Sequence, residues 1–544
     1  MHPYRPRTEL DTHRVFNQPE PREDLLLWAD DAVLRAEVAR LAPDHAERLK
    51  GFAEDIGTAE AVESGRLANR FPPELLSFDR SGRRIDEVRF HPAYHGLMAR
   101  GLGAGYAALP WTTPAPDGHA AHAAMVYLLT QVEPGVCCPM TMTYAAIPAL
   151  AASPELSSRW RPGLLSQGYD PRSIPSAEKG GLTMGMAMTE KQGGSDLRAN
   201  TTRAEPDGPG YRLFGHKWFC SAPMCDAFLT LAQLPEGLTC FLVPRWTPDG
   251  ERNPIHLLRL KDKLGNRANA SAEIEYHGAW AERLGEPGRG VTAIVEMVHH
   301  TRLDTALAPA GLMRRALSEA AWWVRARTAF GRTLIDQSLM TAVLADLALD
   351  WMGALAAGMR VAKAFDNAAT DPVEQAFARL AVALAKYWSN KRCGLVVLEA
   401  MECLGGSGFV EESPMPWLYR EAPLNAIWEG SGNIICLDVL RTLQRLPEAF
   451  EALEAELAAA RGSNRYFDAA LASARDRYAK GVAEADARRF VETMALLLQA
   501  SLLIRQAPVV VADAFVISRL GGDWGRTPGT LPAGTDVAAI AAMI

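Results

Sequence analysis

With 544 residues, 48% of them hydrophobic, the chain is long enough to form several domains that each bury a core. Charged residues make up 22% and the net charge at pH 7 is −7, so overall charge excludes a general affinity for polyanions; any nucleic-acid contact needs a local basic patch. The opening MHPYRPRTELDTHRVFNQPEP has no apolar stretch of the secretory-signal kind, and the apolar run 494–504 is interrupted by Gln499 and too short to cross a bilayer, so a cytoplasmic protein with no membrane partner is expected.

Residues 1–35 read as a Pro-rich N-terminal extension. From 36 to 183 small apolar residues recur at helical spacing, most clearly over 54–69 and 120–129. Pro72, Pro92 and Pro110 break the helices, which predicts an N-terminal helical domain. Near Gly180 the period changes. LTMGMAM, YRLFGHKWF, AFLTLAQL, LTCFLVP, IHLLRL and ASAEIEY are short apolar or alternating runs, separated by turns such as PDGPG at 206–210, and they predict a β-domain over 184–290. Helical periodicity resumes after the Gly-rich turn 285–290 and runs through 291–327, 339–367 and 373–404; neighbouring helices of this length pack as an antiparallel bundle, assigned to 291–445. The rest, 446–544, reads as an added helical domain with a Gly/Pro-rich finish after Gly521. The fold class is α+β, mostly α.

The eight cysteines lack paired C-x-x-C spacing, and the twelve histidines form no H-E-x-x-H or similar group, so no metal is expected. Chemistry concentrates elsewhere. In MAMTEKQGGSD at 186–196 a strand runs into a glycine turn whose backbone N–H groups can approach a ligand, with Thr189 and Ser195 as short hydroxyl donors; a surface β-turn would use the same glycines. GHKWFCSA at 215–222, RTAFG at 327–331, LGGSGF at 404–409 and IWEGSGNI at 427–434 follow in that order.

Together these five segments resemble the acyl-CoA dehydrogenase family of flavoproteins over about 54–441. TEKQGGSD, GHKWF, LKDKLGNRANAS and IWEGSGNI, with long N- and C-terminal extensions, look like its AidB branch, the alkylation-response flavoproteins. The resemblance implies an N-terminal helical domain, a central β-barrel domain, a C-terminal four-helix bundle and a homotetramer with FAD between domains. It assigns Met186, Met188, Thr189, Gly194, Ser195, Phe219, Cys220 and Ser221 to the flavin ring and ribityl side. Arg327, Gly405 and Gly406 would reach the FAD of a neighbouring subunit, with Ile427, Trp428, Gly430, Ser431 and Asn433 closing the site. An arginine suits a pyrophosphate through bidentate, charge-assisted bonds.

Glu429 falls where many members keep a catalytic base. Oxidising a thioester at Cα–Cβ requires a carboxylate to take the α-proton on one face while hydride leaves Cβ for the flavin on the other, and the carboxylate needs partial desolvation to be basic. A surface glutamate beside a helix N-terminus would read alike in isolation. Arg441 is a candidate partner for Glu429 or for substrate, although such a pairing would weaken the base. Several positions depart from the family pattern: Phe219 for tryptophan, Ser431 for threonine, Cys436 for arginine and Glu402 for glutamine.

The AidB resemblance further implies double-stranded DNA as a partner of the C-terminal domain. From Arg445 onward eleven Lys/Arg face twelve Asp/Glu, so only a cluster such as Arg475, Arg477, Lys480, Arg488 and Arg489 could form a basic face, and Asp476, Glu484 and Asp486 make a mixed-charge solvated helix the competing expectation. Three functions stay open. The first is a DNA-binding FAD protein that shields DNA or destroys alkylating agents, with weak, isovaleryl-like acyl-CoA dehydrogenase activity. The second is a metabolic dehydrogenase of a short or branched acyl-CoA, and the third is a binding protein that keeps the fold without the chemistry.

Overall fold

The computed structural model describes residues 6–112 and 117–544. Three helices, α1 (Ala32–Leu41), α2 (Ala46–Ile56) and α3 (Ala59–Arg70), open the first domain. Asp31 caps α1 by accepting from Leu34 N (2.8 Å), satisfying one of the amides a helix start leaves orphaned.

Between α3 and α4 (Pro92–Ala104) lies a feature the helical periodicity did not predict, an antiparallel hairpin of β1 (Glu74–Phe78) and β2 (Arg84–Arg89). Asp79 sets its turn by accepting from Ser81 N and Arg83 N at 2.8 and 2.9 Å. Pro92 does not break a helix but begins one, where its missing N–H costs nothing. The short α5 (Leu109–Thr112), α6 (Gly118–Thr130), α7 (Cys137–Leu150) and α8 (Pro154–Leu164) complete the domain, and every residue of α6 is buried, so it shows almost no amphipathic pattern.

The six predicted strand runs all form strands: β3 (Met184–Ala187), β5 (Gly210–Ser221), β6 (Ala227–Leu234), β7 (Gly237–Pro244), β8 (Ile255–Leu260) and β9 (Ser271–Leu284). A further strand, β4 (Arg203–Asp207), is polar and largely exposed, which hid it from a hydrophobicity reading. Pairing runs β6 to β7, β7 to β9, β9 to β5, β5 to β4 and β4 back to β6, so the sheet closes into a barrel; β3 extends along β6 and β8 along β9.

The bundle consists of α9 (Gly290–Ala326), α10 (Ser338–Asn367), α11 (Pro372–Glu402) and α13 (Gly432–Arg445), with the small hairpin β10 (Thr328–Ala329) and β11 (Arg332–Thr333) after α9 and the short α12 (Met415–Glu421) before α13. By length and composition α10 is apolar enough to cross a membrane; here most of it is buried against α9, α11, α16 and α18. Of the added helices α14 (Pro447–Ala458), α15 (Arg465–Tyr478), α16 (Ala487–Gln506), α17 (Val509–Arg519) and α18 (Val537–Ala541), all but α15 pack on α10 or α11, α15 lies on α16 and α17, and the apolar run 494–504 is the buried face of α16. All eight cysteines are buried free thiols, and among the described residues no histidine, cysteine or acidic group has the arrangement of a metal site.

Candidate active site

Glu190, the residue after Thr189, fixes the first segment of the site. Its fully buried side chain accepts from Lys217 Nζ (2.8 Å), Thr201 N (2.7 Å), Thr201 Oγ1 (2.9 Å), Thr202 N (3.1 Å) and Gln192 Nε2 (2.7 Å). Burial pushes this carboxyl up, but Lys217 and the surrounding donors outweigh it and hold it well below the usual carboxylate range. The preceding backbone is held from both sides, Asn200 Nδ2 donating to Met188 O (2.9 Å) and Trp218 N to Thr189 O (2.7 Å). A Cβ on Gly194 would lie 2.3 Å from Thr189 Oγ1, so the turn closes only with glycine there. Met186, Met188, Thr189 and Gly194 are half-buried and Ser195 is exposed, forming a shelf rather than core.

The second segment is the end of β5, where the register with β9 slips between Lys217 and Cys220. Phe219 stands 49% exposed, and Lys261 Nζ lies 3.2 Å from the Trp218 ring centre and 4.8 Å from that of Phe219. Ser221 is half-buried. Strand alternation turns the Cys220 side chain into the barrel core, fully buried, so the place of this residue at a cofactor rests on its backbone.

The third segment is the turn before α13. Glu429 has φ 56° and Gly430 φ 99°, a left-handed pair that costs a non-glycine residue about 1–3 kcal/mol and persists because its surroundings fix it. Thr301 Oγ1 donates to Glu429 Oε2 (2.6 Å) and Arg302 Nε to Glu429 O (3.2 Å). Lys386 Nζ donates to Asn425 O (3.0 Å) and Gly430 O (2.7 Å), clasping the turn on both sides of the glutamate. Burial raises the Glu429 carboxyl above its ordinary range, while the Thr301 hydroxyl, Arg302 and Lys386 pull it back; burial likewise pushes Lys386 down to about 7.

Cys138, at the start of α7, links the second and third segments. Burial pushes its thiol up to about 12, against the opposing influence of Lys263 and of the neighbouring Ser221 and Asn269 side chains; the Glu429 charge pushes it further up. The Asn269 side chain itself is buried with neither its Nδ2 nor its Oδ1 hydrogen bonded among the described residues.

Arg441 is not the partner of Glu429. It reaches Asp438 only loosely, at 3.9 Å, from a side chain 58% exposed, because one helical turn along α13 points it outward. The cation beside the glutamate is Arg302, which pairs with Asp438 at 2.6 Å, while Arg379 holds the other Asp438 oxygen at 2.9 Å. Thr301, Arg302 and Lys386 match no local motif: Thr301 and Arg302 stand in the mixed run HHTRLDT of α9, Lys386 lies on α11, and only packing brings them to Glu429.

Of the remaining positions, Trp428, Gly430 and Ser431 are half-buried beside Glu429, and Asn433 and Ile427 are exposed. Trp428 Nε1 donates to Asn425 Oδ1 (2.6 Å), and Ser431, the N-cap residue of α13, spends no hydroxyl on capping. Arg327 lies twenty-six residues beyond Thr301, about 39 Å along α9, so within one chain it cannot join the Glu429 site. Gly405 and Gly406 follow α11, which runs parallel to α9, and sit at that same far end, open to solvent.

In the C-terminal domain the basic residues divide. Arg475 pairs with Glu454 (2.9 Å) and Arg488 Nε donates to Tyr387 OH (3.2 Å) on the bundle, while Arg477, Lys480 and Arg489 are exposed. Arg475 and Arg477 occupy the last turn of α15, where cations suit the helix dipole without any ligand.

This fold and site define a class, and the chain belongs to the acyl-CoA dehydrogenase family, FAD-dependent oxidoreductases. It matches the acyl-CoA dehydrogenase middle domain over 185–279 and the C-terminal domain over 288–444. Within that class it falls in the AidB branch: residues 17–171 match the adaptive response protein AidB N-terminal domain, and the chain is 46% identical to AidB of Escherichia coli (strain K12), over 93% of this chain and 94% of that one. Acyl-CoA dehydrogenase family member 11 of Caenorhabditis elegans is 33% identical over 76% of this chain and 70% of that one. The solved structure of C. elegans ACDH-11 in complex with C11-CoA superposes with a TM-score of 0.82 at 28% identity, covering 93% of this chain and 91% of that one. An acyl-CoA dehydrogenase from Bacillus anthracis complexed with FAD shares the fold, with a TM-score of 0.68 over 89% of this chain and 87% of that one, at 16% identity.

Proposed function

We propose that this protein oxidises the Cα–Cβ bond of an acyl-CoA, with Glu429 as the base that removes the α-proton. The observation that carries the reading is the Glu429 turn. A carboxylate held in a left-handed backbone conformation, desolvated enough to be raised, and fixed through one oxygen by Thr301 keeps its other oxygen for a proton. The residues present fit FAD. Thr189, Gly194 and Ser195 form a shelf that a Cβ would obstruct, Phe219 offers an exposed ring, and Ser221 and Ser431 keep hydroxyls at its edge. Bound there, FAD would supply the two-electron acceptor for the Cβ hydrogen.

Arg327, about 39 Å from Glu429 along α9, and Gly405 and Gly406 at the same end of the bundle would serve the FAD of another subunit, which favours the homotetramer over a monomer. Arg441 is left outside the reaction. Anaerobic mixing with a panel of acyl-CoAs, short and branched chains included, tests the base: the flavin band should bleach, and Glu429→Gln should abolish bleaching. A mutant that bleaches at the wild-type rate removes Glu429 from the role.

A second reading concerns DNA. We propose as the second function that of a cytoplasmic alkylation-response protein that binds double-stranded DNA and protects it or inactivates alkylating agents, with weak acyl-CoA oxidation; its support is the similarity to AidB, through the match of 17–171 to the adaptive response protein AidB N-terminal domain and the 46% identity. Of the C-terminal basic cluster, Arg477, Lys480 and Arg489 are exposed and available for phosphates, and their charge is diluted by Asp476, Glu484 and Asp486. Binding to duplex DNA should weaken steeply with salt and fall when Arg477, Lys480 and Arg489 are replaced by glutamate. No binding at low salt excludes this reading and leaves a metabolic dehydrogenase.

A further inference from the structure

We propose that Asn17, in the segment ahead of α1, positions Arg327 for a phosphate-bearing cofactor, making the N-terminal segment part of the cofactor site of the assembled protein. The inference rests on the reading of Arg327 as an FAD contact.

Asn17 makes three hydrogen bonds to a segment more than three hundred residues away, two to Thr328 of the β10–β11 hairpin and one to Arg327 before it. Its Nδ2 donates to Thr328 O (2.8 Å), its Oδ1 accepts from Thr328 N (2.7 Å), and its carbonyl accepts from Arg327 Nη1 (2.7 Å). The side-chain amide therefore pairs with Thr328 as a neighbouring strand would, and fixes the residue on which the arginine depends. Asparagine suits this place for two separable reasons. It carries a donor and an acceptor side by side, and it tolerates the left-handed backbone that Asn17 adopts, φ 57°.

The arginine so held is prepared for an anion. Its guanidinium lies over the Trp323 ring, 5.3 Å from the centre, and among the described residues only one of its five N–H donors is used, on a neutral carbonyl. Among the described residues it pairs with no carboxylate, in contrast to Arg314, Arg315, Arg360 and Arg392 of the same bundle. Ordering a long flexible cation before its ligand arrives lowers the entropic cost of capture, and a planar guanidinium matches two phosphate oxygens. The segment is tied a second time by Arg22, which pairs with Glu319 (2.5 Å) and donates to Ser318 Oγ (3.0 Å) two turns back along α9. That tie anchors the segment without touching Arg327.

The test is FAD titration of full-length apo-protein, followed by flavin fluorescence quenching, with size-exclusion chromatography and apo-protein melting alongside. The variants are Asn17→Ala, Asn17→Gly, Arg327→Ala, Arg22→Ala and the Asn17→Ala/Arg327→Ala double. Asn17→Gly keeps the left-handed backbone and covers the case in which alanine impairs folding. The expected result is a loss of FAD affinity of about 5–10-fold for Asn17→Ala and Asn17→Gly at unchanged apo-protein melting, and a double variant no weaker than Arg327→Ala, since both act through one guanidinium. Arg22→Ala should bind FAD as wild type does. If Arg327→Ala weakens FAD while both Asn17 variants bind normally, the proposal is overturned and Arg327 keeps its role. Equal losses in Arg22→Ala and Asn17→Ala would reduce the segment to a general brace and also overturn it. Wild-type affinity in Arg327→Ala would refute the cofactor reading of that arginine, and the proposal with it.

Discussion

Replacing Glu190 by glutamine should unfold the shelf on which the cofactor is proposed to rest, by breaking a buried ion pair while leaving its shape. Both Glu190 and Lys217 have fully buried side chains, joined at 2.8 Å. Removing one partner of such a pair costs about 3–5 kcal/mol, because the other charge stays buried. Glutamine has one acceptor oxygen where the carboxylate has two, so it can serve the Thr201 donors or Thr202 N but not both; Lys217 retains Leu231 O at 2.8 Å, and its ammonium, already depressed by burial, can shed its proton. The loss should therefore sit within that range, about 3–5 kcal/mol, a midpoint shift of about 1–5 M in urea at the usual slopes.

Urea unfolding followed by intrinsic fluorescence, to which Trp218, Trp246 and Trp280 of the β-domain contribute among thirteen tryptophans, measures it. Glu190→Gln/Lys217→Met, with no buried charge left, should be more stable than Glu190→Gln alone. The pH dependence has a defined sign. The folded Glu190 lies below its unfolded value, so its stabilisation is complete above about pH 4.3 and is lost as pH falls toward the folded value, a loss the glutamine variant lacks. A Glu190→Gln protein within 1 kcal/mol of wild type, or a double variant less stable than the single, would refute the reasoning.

Two further predictions concern the proposed base. Thr301→Val removes a hydrogen bond to the charged carboxylate, about 1.5–3 kcal/mol, so the acid limb of flavin bleaching, already above the ordinary carboxylate range, should move up by about one to two pH units; an unmoved limb means that bond does not tune Glu429. Arg441→Ala should leave bleaching within about twofold of wild type, whereas Arg302→Ala, which frees the Glu429 carbonyl and leaves Asp438 with Arg379 as its close partner, should lower it at least about tenfold; the reverse order would restore Arg441 to the site.

Local rules made much of the architecture readable. β6 spans the very residues of AFLTLAQL, because two-residue alternation and its bounding turns are local properties. The glycines of TEKQGGSD read as a turn without coordinates, and there Gly193 takes φ 145° while a Cβ on Gly194 would crowd Thr189. The polar strand β4 and the β1–β2 hairpin escaped because tertiary pairing rather than apolar patterning holds them.

By itself, then, the sequence determined the order of helical, β and helical blocks and the segment carrying Glu429, since periodicity and ordered motifs are written along the chain. It could not say which cation faces that glutamate. Arg441 is near it in number and turned away by the helical period, while Thr301, Arg302 and Lys386 come from two other helices and meet it only when α9, α11 and α13 pack. Only the packed structure removes water from those groups, and that desolvation raises the carboxylate and sets apart a base from a surface acid.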